Sequence, residues 1–385
     1  MTPKDVLTNK CFCPMPWTGL MYNFDGTVRN CIRGADKQPI GNIQDQSIED
    51  ILLGEVNVER QQQIVNQTPI PSCQGCYDLE HGKKSFDIIS DRIFYIRELK
   101  RVPLETYQPN NHQLHAIDVR WTNLCNFACV YCSSEYSSRI ADELGKKIDT
   151  PTEEQQNKFK DYIIKNAQQL KHVYMAGGEP LLMKQNLDLL AVLARENPEV
   201  NLRINTNLSK VDTRVFEKIC EFKNVHWTVS IETTGSEFEY IRHGGRWQDF
   251  LDNLKIISGL NHKVSFNMLY FLLNYRSLFD CIDYFLQQGY HPNSFVAGAL
   301  LTPVELNIRH LPQRELDSIK QLINNKLAEK PGYLLEDSYQ NILHYIDQPF
   351  DKNLVSSLKF LTELDSRRGI DSQKIFPDLY NILQG

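Results

Sequence analysis

Residues 125–132 read Cys125-Asn126-Phe127-Ala128-Cys129-Val130-Tyr131-Cys132, three thiols at a C-x3-C-x2-C spacing directly after the strand-like run 116–121. Three cysteines on one short loop can bind three corners of a cubic iron–sulfur cluster and leave its fourth iron without a protein ligand. An open position of that kind separates a substrate-binding metal site from a closed structural one. The spacing alone also admits zinc, which usually takes four ligands. Cys13, Cys31, Cys73, Cys76 or a distant histidine would then supply the fourth.

Outward from that loop the chain alternates strands and helices. Apolar runs predict strands at 116–121, 172–176, 201–205, 226–231, 264–271 and 295–300. Helical patterns separate them at 187–195, 213–222, 247–258 and 278–288. The clearest start is Thr150, read as an N-cap with Pro151 at the first helical position and Glu153 closing a capping box. Six β/α units predict a parallel sheet, doubly wound or curled into an incomplete barrel, with chemistry at the carboxyl ends of its strands. Those ends read Met175-Ala176-Gly177-Gly178-Glu179-Pro180, Asn205-Thr206-Asn207 and Ser230-Ile231-Glu232. The glycines let a ligand approach the backbone closely, and Pro180 stiffens the loop that carries Glu179. Beyond Pro312 the pattern turns helical, most clearly over 314–326.

Ahead of the barrel, residues 11–82 read as a small cysteine-bearing module. Asp25-Gly26 marks a hairpin turn. Ser47 is an N-cap, with Asp50 three residues later, and Gly54 interrupts the helix that follows. Pro69-Ile70-Pro71 then delivers the chain to Cys73-Gln74-Gly75-Cys76. A connecting helix is expected over 85–99 and a linker over 103–111.

Composition narrows the classes. The chain has 385 residues, 41% of them apolar and 10% aromatic, which excludes global disorder. Its 42 Lys+Arg against 48 Asp+Glu leave a net charge of −6, the wrong sign for a polybasic nucleic-acid or membrane binder. Lys83-Lys84, Lys146-Lys147 and Arg367-Arg368 are pairs rather than a stripe and read as solvated charges, so a nucleic-acid partner is not expected. No run of 18 apolar residues predicts a membrane span, and no signal-peptide pattern opens the sequence. A cytoplasmic location is expected, in which the ten cysteines stay reduced and clustered ones bind metal.

The triad together with Gly177-Gly178-Glu179-Pro180 resembles the radical S-adenosylmethionine superfamily over about residues 115–300. That resemblance implies an α/β fold, a partial (β/α)6 TIM-like barrel. It implies that Cys125, Cys129 and Cys132 hold a 4Fe-4S cluster whose open iron is chelated by S-adenosylmethionine. One-electron reduction would then release a 5′-deoxyadenosyl radical that abstracts hydrogen from a substrate. Gly177, Gly178 and Glu179 match the motif that meets the methionine amino group, and Tyr131 the position that contacts adenine. Ser230 and Arg242 match residues near the methionine carboxylate. Glu232 stands where many relatives carry an Asp facing the ribose.

The cysteines of residues 11–82 resemble a SPASM/twitch-type module, which implies one auxiliary 4Fe-4S cluster held by Cys13, Cys31, Cys73 and Cys76. The same four thiols would also suit structural zinc. The better-known relatives place this module after the barrel, and many have adjacent cysteines where this chain has Cys31-Ile32, so Cys11 is either a substitute for one of the four ligands or a free thiol. The domains expected are the module at 1–84, a connecting helix and linker at 85–111, the barrel at 112–310 and a helical C-terminal region at 311–385. The resemblance implies redox or crosslinking modification of a peptide or protein side chain, fed by a low-potential donor such as flavodoxin or ferredoxin. A sugar, nucleoside or amino-acid derivative is the alternative substrate. A non-catalytic zinc or iron–sulfur protein is the alternative from another class.

Overall fold

Parallel strands covered on both faces need near-continuous apolar runs. All six runs of the central region are strands in the computed structural model, which describes residues 9–31, 38–80, 90–98 and 107–383. They are β4 Ala116–Val119, β5 His172–Met175, β6 Asn201–Thr206, β7 Val225–Ser230, β8 Lys263–Tyr270 and β9 Phe295–Ala299. Three short strands precede them: β1 Gly19–Tyr22, β2 Thr27–Arg29 and β3 Gly41–Asn42. The fold is α/β, a partial (β/α)6 barrel with a cysteine-rich region before it and a helical region after it. The chain divides into two compact units interleaved in sequence. One comprises the residues up to Leu124, Lys146–Asn205 and Asp212–His226; the other comprises Cys125–Gly145, Thr206–Val211 and Trp227 onward.

In the first unit the strand order is β3-β2-β1-β4-β5-β6. β1 and β2 form the antiparallel hairpin expected around Asp25-Gly26, where Gly26 takes φ +80°. β1 runs parallel to β4, pairing Gly19 with Ala116 and Tyr22 with Val119, so it extends the barrel sheet. Helix α1 Met15–Thr18 leads into it. Ser47 caps α2 Ile48–Leu52, and Gly54 is itself the N-cap of α3 Glu55–Val65, so the expected interruption is a clean break. α4 Gln74–Glu80 carries Cys76. α5 Asp91–Glu98 realises part of the connecting helix; residues 85–89 and 99, Lys83-Lys84 and linker residues 103–106 lie outside the described residues.

The helix read from Thr150 starts two residues later, as α7 Glu153–Lys165. Thr152 caps it, and the box closes with Gln155, whose Oε1 accepts from Thr152 N at 2.8 Å. Pro151 is engaged elsewhere: a side chain at Gly26 would meet its Cγ at 2.9 Å, so the proline packs on the hairpin turn and the helix begins after it. On its inner face α7 presents Phe159, which stacks on Tyr22 at 4.3 Å and meets Trp121 edge-on at 5.6 Å. α8 Lys184–Glu196 and α9 Arg214–Ile219 complete this unit.

The second unit holds β7 from Trp227 onward, β8 and β9, with α6 Ser138–Glu143, α10 Gly235–Ile241, α11 Trp247–Ser258 and α12 Ser277–Gln287. Stacked rings of Phe266, Phe285 and Phe295 form its centre, with centroids 4.8 and 5.1 Å apart. The C-terminal helices are α13 Gln313–Ala328, α14 Tyr333–Ile346, α15 Leu354–Arg368, α16 Ser372–Ile375 and α17 Pro377–Leu383. Ser338 of α14 accepts the Ala297 N–H of β9 at 3.0 Å, which fixes that helix against the edge strand. Among the described residues no helix is long and apolar enough to cross a membrane.

Candidate metal centres

Four thiols from three separate segments line one cavity of the first unit. Cys13 comes from the turn before α1, Cys31 from the end of the hairpin, and Cys73 and Cys76 from the knuckle at α4. Burial pushes the Cys13 thiol well up, and charge on Cys73, Cys31 and Cys76 pushes it further. Burial likewise raises Cys73, with Cys76 adding to it and Arg60 opposing. Four sulfurs that repel one another once ionised are stable as thiolates only around cations. The donor set is all sulfur, which suits an iron–sulfur cluster or zinc. Among the described residues no three His, Cys, Asp or Glu side chains converge as they would on a single ion; the four thiols are distributed along the cavity lining. Cys11 does not line it and points its thiol at the Gln67 carbonyl, 3.6 Å away.

Arg60 and Arg92 line the same cavity, and neither figured in the sequence reading. Arg60 donates to Asn30 Oδ1 at 3.3 Å and to the Gln38 carbonyl at 3.1 Å. Arg92 pairs with Glu80 and donates to the Phe12 carbonyl at 2.7 Å, so it braces the backbone next to Cys13.

The triad loop of the second unit is held by its neighbours' backbone. The N–H groups of Ala128 and Val130 donate to the carbonyls of His243 and Ile241 at 2.8 and 2.9 Å. Ser137 Oγ donates to the Phe127 carbonyl at 2.7 Å, and Ser138 Oγ accepts from Cys125 N at 3.2 Å. Asn207 Nδ2 reaches Asn126 Oδ1 at 3.1 Å and Cys125 Sγ at 3.8 Å. That places Asn207, the last residue of the Asn205-Thr206-Asn207 run, beside the first cysteine. Cys129 is buried, while Cys125 and Cys132 are half-buried. Burial, and then the charge of Cys129, push the Cys132 thiol up to about 12. A bound metal is what would deprotonate such thiols.

Tyr131, Glu232 and Arg242 meet in one network. The guanidinium grips Glu232 through Nε (2.8 Å) and Nη2 (2.7 Å), with only 3% and 2% of the two side chains exposed. Tyr131 OH donates to Glu232 Oε1 at 2.9 Å and accepts from Arg242 Nη2 at 2.8 Å. Burial pushes the Glu232 carboxyl up and Arg242 draws it back. Asn274 donates to the Glu232 carbonyl at 3.1 Å. Ser230, half-buried, closes β7. His243 is half-buried, and burial followed by Arg368 lowers its pKa. His226 is half-buried on β7.

In the first unit the loop after β5 folds onto the residues that lead to Cys125. Gly177 has φ +110°, and a side chain on Gly178 would lie 2.1 Å from the Leu124 carbonyl oxygen. Glu179 N donates to that carbonyl at 2.7 Å, and its buried carboxylate accepts from Leu181 N at 3.1 Å. Asn186 pins the loop, donating to the Pro180 carbonyl at 2.9 Å while accepting from Trp121 Nε1 at 2.8 Å.

A charged row on the sheet also went unread. Asp118, Tyr174 and Arg203 are register partners across β4, β5 and β6, on the face alternate to Val119 and Trp121. Asp118 takes both arms of Arg120 at 3.1 Å, and Arg120 and Arg203 lie 5.9 and 5.6 Å from the Tyr174 ring centre. Its sequence signal is Asp118-x-Arg120, two charges at alternate positions of an otherwise apolar strand.

Comparison with known proteins gives two family matches. Residues 119–285 match the radical SAM superfamily, and residues 11–77 match SPASM, an iron–sulfur cluster-binding domain. Among solved structures, native anSMEcpe with bound AdoMet is 14% identical with a TM-score of 0.41, covering 55% of this chain and 59% of that one. Streptococcus suis SuiB bound to S-adenosylmethionine is 14% identical with a TM-score of 0.38, covering 56% and 45%. SuiB bound to precursor peptide SuiA is 12% identical with a TM-score of 0.41, covering 72% and 60%. The matches thus span less than two thirds of those chains. No curated protein shows a significant match.

Proposed function

Because the chain belongs to the radical S-adenosylmethionine superfamily and carries a SPASM domain ahead of its barrel, we propose that it oxidises or crosslinks a side chain of a peptide or protein. Membership makes it an enzyme of radical chemistry. It implies S-adenosylmethionine and a 4Fe-4S cluster in the barrel and auxiliary iron–sulfur in the N-terminal domain. When bound, the reduced cluster and S-adenosylmethionine supply a 5′-deoxyadenosyl radical that removes hydrogen from a substrate carbon.

Cys125, Cys129 and Cys132 would hold the first cluster, and Cys13, Cys31, Cys73 and Cys76 the second. Gly177 and Gly178 let the loop after β5 close on the backbone leading to Leu124, which would present the loop's own backbone to the methionine amino group, and Glu179 holds that turn. Ser230 stands toward the methionine carboxylate. Glu232 and Tyr131 fix the Arg242 guanidinium, and Tyr131 presents its ring for adenine. Asp118, Arg120, Tyr174 and Arg203 offer both signs of charge and an aromatic face, chemistry suited to the amides and charged side chains of a peptide. A low-potential flavodoxin or ferredoxin would supply the electron, in the cytoplasm.

The observation that carries this reading is the pair of all-sulfur donor sets, three thiols on one loop and four lining one cavity. Anaerobic purification tests it. About eight irons per chain, with 5′-deoxyadenosine formed only with reductant, support the enzyme; stoichiometric zinc without iron removes it. Incubation with deuterated candidates then decides the substrate class. Deuterium reaching 5′-deoxyadenosine from a peptide supports the proposal, and transfer only from a sugar, nucleoside or free amino acid overturns its peptide part.

A further inference from the structure

The turn that follows Thr206 is held in a strained shape. Leu208 is fully buried and takes φ +56°, a left-handed conformation that an L side chain rarely adopts. Three hydrogen bonds impose it. Thr206 Oγ1 accepts the Leu208 N–H, Asn253 Nδ2 of α11 donates to the Leu208 carbonyl, and Asn207 Oδ1 accepts the Ser209 N–H, each at 2.9 Å. Strain of this kind persists only where neighbouring contacts over-determine it, and it directs attention to the residue the turn displays.

That residue is Asn207, only 8% exposed. Because its Oδ1 is engaged by the Ser209 N–H, the amide has one orientation, and Nδ2 turns its two hydrogens toward the triad loop. One acceptor is Asn126 Oδ1 at 3.1 Å, which also takes the Ser209 hydroxyl at 3.1 Å. The other is Cys125 Sγ at 3.8 Å, a hydrogen-bond distance for an atom as large as sulfur. An ionised sulfur accepts more strongly than a thiol, so this bond strengthens once Cys125 serves as a metal ligand.

We infer that Asn207 tunes the reduction potential of the cluster proposed at Cys125, Cys129 and Cys132 by donating its side-chain N–H to the Cys125 sulfur. The inference rests on that cluster assignment. An added electron makes the cluster sulfurs more negative and better acceptors, so a fixed donor favours the reduced state and raises the potential. Burial shields the bond from water, where it would count for less. Asn207 acts through the sulfur and is not itself a catalytic residue.

Redox titration of the anaerobic holoenzyme, followed by electron paramagnetic resonance, tests this on the signal that changes when S-adenosylmethionine is added. Asn207→Ala removes the donor and should lower the midpoint potential. Asn207→Asp keeps an oxygen for the Ser209 N–H but turns a carboxylate oxygen toward the sulfur, and should lower it further. Asn126→Ala removes the neighbouring acceptor and leaves the N–H on the sulfur, so its potential should stay at the wild-type value. An Asn207→Ala potential equal to wild type overturns the inference. An equal fall in Asn126→Ala also overturns it, since Asn207 would then only brace the loop. Wild-type protein labelled with heavy nitrogen in its asparagine side chains gives a readout that needs no variant. The reduced cluster should show a hyperfine coupling to that label, and its absence overturns the inference even if Asn207→Ala loses its iron. A coupling that Asn207→Asp retains unchanged overturns it too. Wild-type protein with no signal responsive to S-adenosylmethionine would instead remove the cluster assignment itself.

Discussion

Gly178 admits no larger residue, because a Cβ there would lie 2.1 Å from the carbonyl oxygen and 2.6 Å from the carbonyl carbon of Leu124, both backbone atoms. Backbone cannot swing aside as a flexible side chain would, so Gly178→Ala must displace Leu124, the residue bonded to Cys125. We expect that variant to keep its auxiliary iron while 5′-deoxyadenosine formation falls by about a hundredfold, the scale of an ångström-sized misplacement. Retained activity in an assay with excess reductant would refute the role given to the loop. The Glu232–Arg242 pair makes a different demand. Each partner is buried against the other, so Glu232→Gln strands a guanidinium without its counter-charge and should destabilise the protein by about 3–5 kcal/mol. Urea unfolding measures this, and a loss below about 1 kcal/mol would show that Arg242 finds another partner.

At the scale of elements, the turn between β5 and α8 depends on one buried amide. Asn186 has both ends of its side chain engaged, by Trp121 Nε1 and by the Pro180 carbonyl. Asn186→Leu keeps the branching at Cγ but leaves an indole N–H and a carbonyl unmet, which should cost about 2–4 kcal/mol. The same variant should bind S-adenosylmethionine more weakly in equilibrium dialysis, because the loop it pins carries Gly177 and Gly178. Unchanged affinity would mean that the loop holds its shape without the pin. The elements themselves were largely legible: the six apolar runs became β4 to β9 with ends shifted by one or two residues, and the reading of α11 as 247–258 matches its bounds. The parallel pairing of β1 with β4 was not legible, since its partners lie 97 residues apart and no local pattern encodes which edge a short strand joins. The cap at Thr152 was displaced from the reading by Pro151, whose packing on Gly26 is likewise a long-range fact.

At the scale of the whole molecule, side-chain partners decided what the sequence left open. Cysteine spacing and glycine pairs are local and could be read, but whether Arg368 reaches Glu143, 225 positions earlier, could not. The same holds for the response to pH, which depends on histidines kept neutral by burial. Burial lowers His112 to about 4 and shifts His115 and His310 downward as well. For His310 the tautomer follows from its partners: Nδ1 accepts from Asn353 N at 2.9 Å, so the proton sits on Nε2 and is donated to the Val304 carbonyl at 2.9 Å. Asn353 is the N-cap of α15, the helix that ends in Arg368. A second proton on His310 would turn an acceptor into a donor facing another donor and loosen that cap. The folded state thus binds protons less readily than the unfolded chain, whose histidines titrate near about 6.5. Stability is therefore fully present above that value and is lost as pH falls through it toward the depressed folded pKa values. Urea midpoints should accordingly drop as pH falls from about 6.5 toward the lowered His112 value of about 4. His310→Gln, with an amide to donate to Val304 and an oxygen to accept from Asn353, should stay folded at neutral pH and lose part of that drop. An acid profile identical to wild type would show that His310 does not hold the helix end by the neutral form of its ring.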